Sequence, residues 1–146
     1  MTPIYTARNA ADEVYAELQY NADRNYLFMR WSGYCTDDEL KQATLQMLDW
    51  QQTEGQQRAC RFHVHDTKEF ETAWTRTIDW IVNEFFNKAY AFGLRGNISI
   101  LSPDLFSKVS SEALQQYPGS LVPTLLFESL MAAEQFIASQ PQQEPA

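Results

Sequence analysis

The chain has 146 residues, enough for one domain with its own core, and its composition (45% hydrophobic, 14% aromatic) is that of a packed globular protein rather than a disordered one. A net charge of −8 with scattered basic residues argues against nucleic acid and against an anionic membrane surface as partners. No apolar run approaches the roughly 20 residues of a membrane span.

The elements follow in chain order. Ile4–Thr6 suggests a short edge strand. In Val14–Tyr20, residues Val14, Ala16, Leu18 and Tyr20 share one face under a period of two. After the polar turn 21–25, Tyr26–Trp31 is apolar at nearly every position, as a central strand covered on both faces would be. The short connection predicts an antiparallel hairpin, with Ser32-Gly33 ending its second strand. Thr36 and Glu39 have the spacing of a capping box, and Asp37 and Asp38 stand where the helix dipole favours negative charge. Leu40, Ala43, Met47 and Leu48 recur at helical spacing, and Gly55 is the expected stop.

The next strand is expected over Ala59–His65, with Cys60, Phe62 and Val64 on one face and Arg61, His63 and His65 on the other. A long helix from about Glu71 to Phe92 carries an unusually broad apolar stripe of Trp74, Ile78, Ile81, Phe85 and Ala89, widened by Val82, Phe86 and Phe92. Asn97–Leu101 reads as a strand, Pro103–Gln116 as a helix capped by Ser102, and Leu121–Phe127 as a strand that Pro123 confines to an edge or interrupts early. Ser129 caps a last helix that turns Ala133, Phe136 and Ile137 inward, and the polar, proline-bearing 140–146 is expected to be a disordered tail. Together these predict a single domain over 1–139 of α/β class. Its sheet is mixed and mainly parallel, with four to five strands, a leading antiparallel hairpin and about four helices, mostly on one face.

Three features resemble a known family. They are Trp31-Ser32-Gly33 followed by an acid-opened helix, Asp66 at the end of the third strand with Asp79-Trp80-Ile81 in the next helix, and Ser102-Pro103-Asp104-Leu105-Phe106-Ser107 after the fourth strand. In these the chain, over about Ile4–Ser139, is similar to small bacterial single-domain proteins of the STAS-like or SpoIIAA-like fold. The best-known members are anti-anti-sigma regulators that bind a partner and are switched by phosphorylation of a hydroxyl following an Asp. The resemblance therefore implies a regulatory module, with Thr67 after Asp66 in the place of the modified hydroxyl. Here Lys68-Glu69-Phe70 replaces the family's small Ser-Gly-Leu continuation, and capping of the following helix by Asp66 or Thr67 is the competing reading.

No constellation reads as a catalytic set. His63 and His65 share a strand face but lack the third and fourth ligands a zinc site needs, so neither metal nor cofactor is expected. There is no nucleophile elbow and no glycine-rich phosphate loop. Asp37, Asp38 and Glu39 point in different directions on a helix and serve its cap. Cys35 and Cys60 form no CxxC pattern and fit reduced, buried thiols. The opening Met1-Thr2-Pro3-Ile4-Tyr5 has no secretory pattern, so a cytoplasmic location is expected.

The aromatic surplus singles out Trp80 and Phe86, with His63, His65 and Asp66 nearby, as candidate contacts to a partner or ligand. The leading expectation is a non-catalytic binding or regulatory module acting through a protein partner or self-association. A carrier of a small apolar ligand, in the manner of CRAL-TRIO-type proteins, is the alternative. An enzyme using His63 or His65 as general base comes third.

Overall fold

The computed structural model describes residues 1–141. It is an α/β fold built on one six-stranded sheet in the order β1-β2-β3-β4-β5-β6, so spatial order repeats chain order. The strands are β1 Thr2–Arg8, β2 Val14–Asn21, β3 Tyr26–Gly33, β4 Phe62–Phe70, β5 Gly96–Ile100 and β6 Thr124–Phe127. β1, β2 and β3 pair antiparallel, and β3 through β6 run parallel. The weak strand signal at Ile4–Thr6 becomes a full edge strand, which raises the strand count to six. Gln140 and Pro141 of the expected tail follow the last helix; 142–146 lie outside the described residues.

Helix α1, Asp37–Trp50, begins with the expected capping box: Glu39 N donates to Thr36 Oγ1 at 3.1 Å and Thr36 N donates to Glu39 Oε1 at 2.8 Å. It does not stop at Gly55. Its winding widens to a π-helix over Gln51–Gly55 and continues to Gln57, and Ala59 takes the left-handed turn with φ 51°. Gly55 has a different role, because a Cβ there would come within 2.8 Å of the Gln51 carboxamide.

A 3₁₀ turn at Thr75–Thr77 leads into α2, three joined segments: Ile78–Trp80 α-helical, Ile81–Phe86 π-helical and Asn87–Ala91 α-helical. A π-turn stacks residues five apart, so the consecutive pairs Ile81-Val82 and Phe85-Phe86 can all be buried. That is the source of the broad stripe. Helix α3, Leu105–Gln115, is capped by Asp104, which accepts from Phe106 N and Ser107 N. Ser102 instead accepts from Asp104 N and donates to Phe70 O. β6 begins only after Pro123, and α4, Leu130–Ser139, is capped by Ser129.

The strand register sorts the core into two faces. Tyr26, Phe28, Val64, Ile98 and Ile100 meet Ala133 and Ile137 of α4 on one side. Leu18, Leu27, Met29 and Trp31 meet Leu40, Met47, Ile81, Phe85, Phe86 and Leu114 on the other, beneath α1, α2 and α3. The parallel strands never reverse their order, so the crevice that such a reversal opens at strand ends in doubly wound sheets does not arise here. Any enclosed site must lie between the sheet and its helices.

Candidate functional site

The three-helix face of the sheet is polar at its centre. Leu27, His63, Asn97 and Thr124 form one row across β3–β6, and Leu18, Met29, His65 and Ser99 the next row, starting from β2. Above them lies a cavity walled by the rings of Trp31, Phe70, Trp74, Phe85 and Phe86 and by Leu40, Ile81 and Leu114. Its polar lining comes from Thr44, His65, Thr67, Asn97 and Ser99. About 40 Å³ of it is open to the centre of a water molecule. Every lining residue is buried except His65, which is partly exposed.

Both histidines are held neutral. His63 Nε2 lies 2.8 Å from Gln51 Oε1. Gln51 Nε2 donates to Cys60 O at 2.8 Å and to Phe92 O at 2.9 Å, so Oε1 is the accepting atom and His63 carries its proton on Nε2. Burial, reinforced by the neighbouring His65, lowers the His63 pKa to about 3. Trp31 Nε1 donates to His65 Nδ1 at 3.0 Å, which puts the His65 proton on Nε2. Burial lowers the His65 pKa to about 4, opposed by the Asn97 side chain. Neither group has the affinity for a proton that a general base near neutral pH needs. Burial likewise pushes the thiols of Cys35 and Cys60 up to about 12, away from the nucleophilic thiolate. Among the described residues no group of three or more His, Cys, Asp or Glu is placed to hold a metal ion.

The residues singled out by sequence separate. His65, Thr67 and Phe86 meet at the cavity. His63 lies beside it, in the clamp with Gln51. Phe86 is buried, which removes it from any surface contact. Trp80 packs half-buried against the core from outside, stacked on Phe85 with ring centroids 6.5 Å apart and with the Lys41 ammonium 5.8 Å from its centroid.

Asp66 belongs to the opposite sheet face, where it pairs with Arg30 at 3.7 Å and accepts from Lys68 N. Neither Asp66 nor Thr67 opens a helix, because β4 runs on to Phe70. Thr67 is buried, and its hydroxyl donates to Ile100 O at 2.6 Å, so the helix N-terminus that the resemblance implied is not beside it.

Two features had no counterpart in the sequence reading. Gln51 is fully buried, and the signal for it was its place one turn beyond Met47 on the inward stripe of α1. The other is α3. Its serines 107, 110 and 111 face inward with Leu114, while Leu105, Phe106 and Val109 are 68%, 64% and 47% exposed. Ser110 Oγ accepts from Trp74 N at 3.0 Å, tying this inverted helix to the cavity wall.

A wider, open depression of about 480 Å³ lies at the far end of the sheet, between the β2–β3 turn and Pro141. Two of its arginines are engaged by carboxylates, Arg24 with Glu134 at 3.5 Å and Arg58 with Glu54 at 3.0 Å. No helix among the described residues is long and apolar enough to cross a membrane. No family model matches the chain, and no curated protein or solved structure was found similar to it.

Proposed function

We propose that the chain is a non-catalytic binding module that engages a protein partner, a second copy of itself included, through the outward face of α3. The observation carrying this reading is the inversion of that helix. A surface helix ordinarily turns its apolar stripe to the core. Here serines fill the inward face while Leu105, Phe106 and Val109, neighbours on one side of the helix, meet solvent. Contiguous exposed apolar surface of this kind marks interaction sites. The chemistry inside the fold supports the non-catalytic half of the proposal, since its imidazoles are held neutral and its thiols protonated.

The test compares the wild type with the double substitution Phe106→Ser/Val109→Ser by sedimentation over a range of concentrations and by capture of partners. The variant is expected to lose its self-association or its captured partner while keeping its thermal midpoint. Unchanged association in a folded variant defeats the proposal.

A further inference from the structure

The polar residues around the cavity under the three helices turn their polar atoms away from it. Thr44 Oγ1 donates to Leu40 O at 2.8 Å, and Thr67 Oγ1 donates to Ile100 O at 2.6 Å. The Trp31 indole donates to His65 Nδ1. Trp74 Nε1 and Asn97 Oδ1 have no accessible surface, and Asn97 Nδ2 meets Thr124 Oγ1 at 3.2 Å. What faces the space is almost entirely carbon, from aromatic rings and from Leu40, Ile81 and Leu114. Phe85 and Phe86 both reach it because α2 widens to a π-turn there, a departure from regular winding that recurs at functional sites.

We propose that this cavity is a binding site for a small apolar molecule, of the size of dioxygen or ethene. Water is a poor occupant, because a buried water needs several polar partners and these walls present almost no polar surface. An ion is worse. No Lys, Arg, Asp or Glu lines the space, and a buried charge without a counter-charge is strongly disfavoured. An empty space forfeits dispersion contacts along every wall, and an apolar guest of matching size restores them. Volume sets that size. An apolar cavity of roughly 150 Å³ takes one benzene. The 40 Å³ here is about a quarter of that, room for about two or three non-hydrogen atoms. This site is separate from the outward face of α3, so its fate does not depend on the partner proposal.

The probe is xenon, a neutral apolar sphere of comparable bulk, with benzene as the guest too large to enter. Methyl-labelled protein is equilibrated with xenon over a range of pressures while the Leu40, Ile81 and Leu114 methyl resonances are followed. Ile98 and Leu125, on the opposite face of the sheet, serve as controls. The three cavity residues are expected to shift saturably and the controls to stay in place. Benzene is expected to leave both sets in place. Ser99→Val puts methyl groups into the space and is expected to abolish the xenon shifts. If Ser99→Val does not fold, a wild-type crystal under xenon pressure gives the answer, with the atom seen among Leu40, Ile81 and Leu114. Several results overturn the proposal: no shift of the cavity set, equal shifts of both sets, benzene binding beside these residues, xenon shifts that survive in folded Ser99→Val, or ordered water in place of xenon in the crystal.

Discussion

Gln51 has no accessible surface, and its carboxamide joins three parts of the chain: the carbonyls of Cys60 and Phe92 through Nε2, and the His63 ring through Oε1. Replacing it by leucine keeps the bulk and strands all three groups. At about 1–3 kcal/mol for each buried group left unpaired, Gln51→Leu is expected to cost about 3 kcal/mol or more, read as a lower urea midpoint. Gly55 gives a sharper comparison. Glycine to alanine within a helix ordinarily gains about 1 kcal/mol. Here the new Cβ would come within 2.8 Å of the Gln51 carboxamide, which its hydrogen bonds hold in place. Gly55→Ala is therefore expected to destabilise, and a gain in the same denaturation experiment would show that the clamp can shift. The sequence presented Gly55 as a helix stop, since nothing local distinguishes a glycine that ends a helix from one that makes room for a side chain a turn earlier.

On α3 the unusual face points inward, which makes opposite substitutions informative. Ser111 is buried with no partner for its hydroxyl, and alanine is the better helix former by about half a kcal/mol. Ser111→Ala is expected to raise stability by about 0.5–1 kcal/mol, seen as a higher thermal midpoint. A loss would mean that the hydroxyl is engaged.

Most elements were legible because periodicity and capping chemistry are local. The hairpin, the capping box at Thr36 and the Ser129 cap all depend on residues a few positions apart. The second half of β4 was not legible. Asp66-Thr67-Lys68-Glu69 is polar, and Asp66 or Thr67 reads as the cap of the next helix, yet the segment is held in the sheet by β3, with Ser32 opposite Glu69 and Gly33 opposite Phe70. Its pairing with β5 ends at Asp66 and Ile100, so Lys68 and Glu69 are exposed beyond the shorter neighbour. Strand identity there is set by a distant partner, which no local window contains. The cavity was legible only as a surplus of aromatics. Its polar lining comes from strands and helices far apart in sequence, and the π-turn that brings Phe85 and Phe86 inward together has no recognisable spelling.

At the scale of the whole molecule, the two histidines on the three-helix face of the sheet make stability depend on pH. Their folded pKa values, about 3 and about 4, lie below the ordinary 6.5. Below pH 6.5 the unfolded chain takes up protons that the folded chain refuses. Stability is therefore fully present above that value and falls as the solution is acidified towards pH 4. Each histidine contributes about 1.4 kcal/mol per pH unit across this window. Urea unfolding at pH 7.5 and pH 5 is expected to differ by about 4 kcal/mol. Equal midpoints would show that the imidazoles are open to protons in the folded state.

The agreement between spatial and chain order of the six strands bears on how the protein is made. Each strand pairs with the one synthesised before it, so none has to be inserted between two already joined. The sheet can lengthen at one free edge while the ribosome is still delivering the rest, starting from the antiparallel hairpin whose halves are closest in sequence. Each later strand then closes the three-helix roof over a floor already laid, and the cavity is complete only once α3, the last of those helices, has been delivered.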